Sequence, residues 1–142
     1  MLNKQEKIGQ YFTGKKEVYK AFKELRAAEI YAEMYPYNDL GRIRLERANK
    51  AFEEAIGAHW CNVTKAQVDS VRDGIERILA LRSKATRLKK DKAFRKGMQK
   101  LVQGEPMNEK QIRVLEEGLG KWGFTSVAEA ERFLHKTGLN TL

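Results

Sequence analysis

The sequence predicts an all-α fold, on three observations. No segment alternates apolar and polar residues over a β-branched run, so strands have nothing to rest on. Only two prolines occur, Pro36 and Pro106, which leaves long stretches free to run as helix. Apolar residues recur at three/four spacing in separate windows, each bounded by capping or terminating residues. The predicted architecture is a three-helix core with a long basic third helix over 1–90. Over 91–142 a basic connector helix and a small C-terminal helical hairpin follow.

Residues 15–34 read as the first helix, with Val18, Phe22, Leu25 and Ala28 on one face. It stops before Tyr35-Pro36, because the residue preceding proline is disfavoured in the α region. Asn38 or Asp39 caps a second helix in which Leu45, Ala48, Phe52 and Ala55 repeat, and Gly57 is expected as its left-handed terminator. Thr64 opens the longest segment, striped with Val68, Val71, Ile75, Ile78 and Leu79. Continued through Lys90, it would measure about 40 Å at 1.5 Å per residue. Phe22, Leu25, Phe52, Val71, Ile75 and Ile78 are expected to be buried together. Beyond Leu81 the stripe thins to Ala85 and Leu88 while the cations multiply, so this end is expected to project past the core.

A helix over 92–103 carries Phe94, Met98, Leu101 and Val102 and ends at Gly104. Asn108 with Gln111 has capping-box spacing and opens a helix holding Ile112, Leu115 and Leu119, ended near Gly120 or Gly123. Ser126 with Glu129 is a second capping box, for a helix with Ala130, Phe133 and Leu134 closed by Gly138. Trp122, Phe124 and Phe133 are expected to pack together in this hairpin. No repeat period and no low-complexity tract interrupts the pattern.

Charge is the feature that a functional reading has to explain. The 142 residues carry a formal net charge of +9, with 28 Lys and Arg against 19 Asp and Glu. Segments 1–81 and 101–142 are each close to neutral. Between them, residues 82–100 hold nine basic side chains and one acid, Asp91. The nine are Arg82, Lys84, Arg87, Lys89, Lys90, Lys92, Arg95, Lys96 and Lys100. Cations crowded in this way suit a phosphate backbone, where each contact releases condensed counterions. On one continuous helix, positions 84, 87, 88, 91, 92 and 95 share a face, so Lys84, Arg87, Lys92 and Arg95 would form one stripe, widened by Arg82, Lys89, Lys96 and Lys100. Complementing a helix C-terminal dipole needs fewer charges than this. The block holds no base-reading motif, so binding through it would be directed at the backbone.

Other chemistries find less support. Tyr31, Tyr35 and Tyr37 gather around Pro36, and Tyr35 and Tyr37 are the candidates for stacking on single-stranded bases; as a group the aromatics fit helix-end staples and gap fillers. His59 and Cys61 form an H-x-C pair with His135 remote, which falls short of the three or four ligands zinc requires. The single cysteine excludes an internal disulfide framework and is expected as a buried thiol beside Trp60. Neither G-x-x-x-x-G-K nor G-x-G-x-x-G occurs, and pairs such as Glu53-Glu54 read as helix surface. The expectation is therefore a protein without cofactor or metal that is not an enzyme. No apolar run approaches the roughly 18 residues of a membrane span, and the first residues lack a secretory apolar stretch, so a cytoplasmic protein is expected.

Residues 94–134 read Phe94-Arg95-Lys96-Gly97-Met98-Gln99-Lys100-Leu101, then Gly104-Glu105-Pro106-Met107-Asn108-Glu109-Lys110-Gln111, then Val114-Leu115 and Trp122-Gly123-Phe124. This resembles a short helical segment of bacteriophage-encoded proteins of DNA metabolism. There a phenylalanine-led helix and a glycine turn precede an L-S/T-E-K-Q helix start. Met107 and Asn108 stand here in place of the leucine and the serine or threonine. The resemblance implies a phage or mobile-element origin, hence a host cytoplasm, and supplies no binding residue.

Two functional classes follow. One is a small nucleic-acid-binding accessory protein for DNA or RNA, largely sequence-nonspecific, serving replication, recombination or packaging. The other is a protein-interaction factor that inhibits or modulates a host nucleic-acid enzyme or nucleoprotein complex. Oligomeric state stays open: the long helix offers a face for self-pairing, but Arg82 interrupts its apolar stripe.

Overall fold

A computed structural model describes residues 2–141. Among them the chain forms seven helices and no strand. These are α1 (Lys4–Thr13), α2 (Lys16–Met34), α3 (Asp39–Gly57), α4 (Lys65–Leu88), α5 (Lys92–Val102), α6 (Glu109–Lys121) and α7 (Val127–Thr137). The all-α expectation holds. The chain divides into two compact units, 3–78 and 79–141, with Leu2 grouped with the second. That division falls within α4 at 78/79, twelve residues before the boundary at 90/91 drawn from composition.

The N-terminal unit holds α1 to α3 and the first part of α4. Phe22, Leu25, Phe52, Val71, Ile75 and Ile78 are all buried, as their spacing predicts. The Phe22 and Phe52 rings meet at 6.2 Å. The helix absent from the three-helix reading is α1. Asn3 caps it reciprocally with Glu6: the Asn3 carboxamide oxygen accepts the Glu6 N–H at 2.8 Å, and the Glu6 carboxylate accepts the Asn3 N–H at 3.0 Å. Phe12 is fully buried, its ring meeting Trp60 edge-on at 4.9 Å. Two glycines let α1 approach α4, since a Cβ on Gly9 would lie 1.8 Å from the Gly74 carbonyl oxygen.

Local chemistry sets the helix ends. Asn38 accepts the Leu40 N–H at 2.9 Å to start α3. Thr64 and Gln67 exchange side-chain and backbone hydrogen bonds at the start of α4. Gly57 is not the left-handed terminator expected of it. It stays inside α3, which closes on right-handed Ala58, and the positive φ in this connection belongs to Asn62 at 54°. The expected buried thiol is also corrected: Cys61 is exposed in the turn after α3.

The C-terminal unit packs Leu88, Phe94, Met98, Leu115, Phe124, Ala130, Leu134 and Leu139 into one core. The end of α4 lies outside the N-terminal unit, and Leu88, fully buried with Ala85 packed against its cluster, makes it core of this unit. Phe124 lies parallel to Phe94 at 6.2 Å and contacts Phe133 at 5.5 Å; Trp122 and Phe133 are half-buried against the cluster. Asn108 and Gln111 form the expected reciprocal box at α6. At α7 only half of the box forms. Ser126 accepts the Glu129 N–H at 3.1 Å, but the Glu129 carboxylate turns to the Thr125 N–H and hydroxyl.

Candidate nucleic-acid interface

The basic block lies wholly within the C-terminal unit. Its nine cations do not form one stripe, because α4 ends at Leu88 and the chain turns through Lys89 and Lys90 before α5 begins. Positions 84, 87, 88, 91, 92 and 95 share a face only along an unbroken helix. The turn follows from the burial of Leu88 and from Asp91, whose carboxylate caps α5 by accepting the Phe94 N–H at 3.2 Å.

Lys84 and Arg95 are turned to partners within the unit. The Lys84 ammonium lies 4.0 Å from the Phe124 ring centroid and 4.9 Å from that of Phe133. Burial there lowers its pKa below the usual lysine value; the Glu129 charge opposes that shift and the Arg87 charge adds to it. Arg95 donates three hydrogen bonds to carbonyl oxygens: to Leu139 at 3.1 Å, Thr141 at 2.8 Å and Lys89 at 3.1 Å. It fastens the C-terminal tail and the α4–α5 turn to α5.

The remaining cations divide by position. Arg82 and Arg87 are exposed on the last turns of α4, and Lys89 and Lys90 are exposed in the turn. On α5, Phe94, Gly97 and Met98 face the core. Lys92, Lys96 and Lys100 fall at i, i+4 and i+8 on the opposite side, about 6 Å apart along the axis. Lys92 and Lys96 are exposed and Lys100 is half-buried. No acid occurs within α5. Asp91, the one acid of the block, also accepts the Trp122 indole N–H at 2.9 Å.

Tyr35 and Tyr37 belong to the other unit, at the α2–α3 turn. Tyr35 packs on Tyr31 at 4.9 Å and is half exposed, whereas Tyr37 is 99% exposed.

One feature of the C-terminal unit has no signature in the sequence. The end of α5, α7 and the tail enclose an open-sided cavity of about 210 Å³. Its lining combines Met98, Val102 and Leu134 with Gln99, Gln103 and Asn140, and includes Glu131 and His135. These residues are contributed by segments some thirty to forty positions apart, so no local pattern gathers them.

Among the described residues no three His, Cys, Asp or Glu side chains are grouped to hold a metal ion, and no helix is long and apolar enough to cross a membrane. Comparison with protein families, with curated proteins and with solved structures finds no match to this chain.

Proposed function

We propose that the α4–α5 corner and the outer face of α5 bind a nucleic-acid backbone, and that the protein is a small helical accessory factor binding DNA or RNA largely without regard to sequence. The observation that carries this reading is α5 itself. It is a helix without an acid, carrying Lys92, Lys96 and Lys100 on successive turns of the face turned away from its core contacts. Arg87 on the last turn of α4 and Lys89 and Lys90 in the turn before α5 are exposed as well. Lys84 and Arg95 are assigned to holding the corner in shape. The resemblance of residues 94–134 to phage DNA-metabolism segments agrees with a role in replication, recombination or packaging.

The test is binding of labelled random-sequence DNA across a salt series. With about four to six cations engaged, the log–log slope on duplex DNA is expected near −4 to −5, at about −0.9 per phosphate. A slope near zero would refute the reading.

The second reading, a protein-interaction factor, draws on a different observation. Met34, Tyr37 and Leu40 line one hollow at the α2–α3 tip and are 65%, 99% and 70% exposed. Capture of a host protein that survives nuclease treatment and is lost on Tyr37→Ser with Leu40→Ser would favour it.

A further inference from the structure

We propose that the cavity between α5, α7 and the C-terminal tail receives one unstacked nucleobase, which makes a single strand the preferred form of nucleic acid. The proposal rests on the backbone reading of α5 and adds what lies beside it.

Size sets the first limit. An apolar cavity of about 150 Å³ accommodates benzene. At about 210 Å³, with one open side, this cavity accommodates a heteroaromatic ring with its exocyclic groups. It is too small for a peptide helix or for a stack of two bases.

The lining sets the second limit. Met98, Val102 and Leu134 offer apolar surface for the faces of a ring. Gln99, Gln103 and Asn140 supply carboxamides, which pair with base edges, Gln and Asn with adenine most characteristically. Glu131 contributes a carboxylate, which repels a phosphate but accepts from an exocyclic amine such as that of cytosine. The cavity is therefore suited to a base carrying an exocyclic amine (adenine, cytosine or guanine, as against thymine or uracil) and not to the phosphate itself.

Placement and rigidity complete the argument. Gln99 lies three residues after Lys96 on α5, a spacing that makes the two neighbours on the helix surface, so the cavity lies beside that part of the lysine row. Asn140 lies between Leu139 and Thr141, and Arg95 holds the carbonyls of both neighbours. Leu139 is itself buried, its N–H bonded to the Leu134 carbonyl at 2.8 Å. The tail that carries Asn140 is thus fixed before any ligand arrives. A duplex delivers a base to such a site only after unstacking, at a cost of a few kcal/mol. A single strand avoids most of that cost.

The experiment measures binding of the full chain to 12-mer dA, dC and dT single strands and to a 12-bp duplex at one fixed salt concentration. The expected result is at least fivefold tighter binding to dA or dC than to dT and the duplex. Val102→Trp fills the mouth of the cavity from an exposed position, and Asn140→Ala removes a tail carboxamide should the first variant fail to fold. Each is expected to abolish the preference while changing duplex affinity less than twofold. Equal affinity of the native chain for all four ligands would overturn the proposal, as would an unchanged preference in the folded variants. Lys92→Glu with Lys96→Glu separates the two claims. If that pair loses duplex and single strand alike while the cavity variants lose nothing, the cavity proposal fails and the backbone reading stands. If the pair retains full affinity for every ligand, the backbone reading fails and the cavity proposal with it.

Discussion

The Trp122 indole N–H donates to one carboxylate oxygen of Asp91 at 2.9 Å, while the other oxygen accepts the Phe94 N–H at 3.2 Å. The single acid of the basic block is thereby a joint between the start of α5 and the end of α6. Asp91→Ala removes a helix cap and a side-chain bond, each worth about 1 kcal/mol. It also removes the one negative charge among nine cations. Stability, measured by urea denaturation, is expected to fall by about 1–2.5 kcal/mol, while affinity for duplex DNA at low salt rises.

Arg95 and Lys96 are adjacent in sequence and have opposite assignments. Arg95→Met loses three bonds to carbonyl oxygens and is expected to lower stability by about 1–3 kcal/mol, with faster amide exchange in the tail. Lys96→Met is expected to leave stability within about 0.5 kcal/mol and to reduce the salt slope by roughly one contact. Unfolding curves and salt titrations on both variants check the pair.

Lys84 carries a pH dependence whose sign follows from its burial. Its folded pKa lies below the usual value of 10.5, so folding favours the neutral amine. In the alkaline window between the folded value and 10.5 the unfolded chain binds more protons, and stability gains as pH rises. Lys84→Met keeps the apolar contact with Phe124 and Phe133 and removes the titration. Urea curves at pH 8 and pH 10 should show the native chain gaining on the variant at the higher pH. Duplex affinity at neutral pH should change less than twofold.

Glu129 provides the acid-side counterpart. The Thr125 hydroxyl bond is the main cause of its depressed pKa, followed by the Thr125 N–H, and the charges of Lys84 and Arg132 act in the same direction. Its folded pKa lies below its unfolded one, so its contribution is complete above the unfolded value and is lost as pH falls through the folded value. Thr125→Val retains only the backbone bond. The native chain is expected to resist acid better than this variant, with the gap closing once pH drops below both values.

Packing around Phe94 tests the core of the C-terminal unit. A Cβ on Gly118 would lie 2.3 Å from Phe94 Cδ2, and that ring is fully buried against Phe124. Gly118→Ala is expected to cost about 1–3 kcal/mol through overpacking. Phe133 is only half-buried, so Phe133→Ala should cost less than the 3–5 kcal/mol typical of a buried ring. Thermal unfolding of the two variants ranks them.

The sequence disclosed the elements that rest on long periodic stripes or on caps. Val71, Ile75 and Ile78 fall where their spacing puts them, and Asn38, Thr64, Asn108 and Ser126 each start a helix. It concealed α1, whose face is short and broken by Gly9 and buried Glu6, although Asn3 and Glu6 show capping-box spacing. Gly57 misled because a glycine near a helix end does not have to adopt a positive φ. In the candidate interface, the cations were legible as composition and their division was not. Lys84 turns inward because two rings forty or more positions away come to meet it, and Arg95 because the tail supplies carbonyls. Both depend on tertiary contacts that no local pattern encodes.

The most direct test of the central claim is the affinity of Lys92→Glu with Lys96→Glu for random-sequence duplex DNA, measured by anisotropy, with circular dichroism confirming the helical fold. The account predicts a loss of at least tenfold at low salt and a slope shallower by about two contacts, at roughly −0.9 each. A folded double variant with native affinity and an unchanged slope would contradict it.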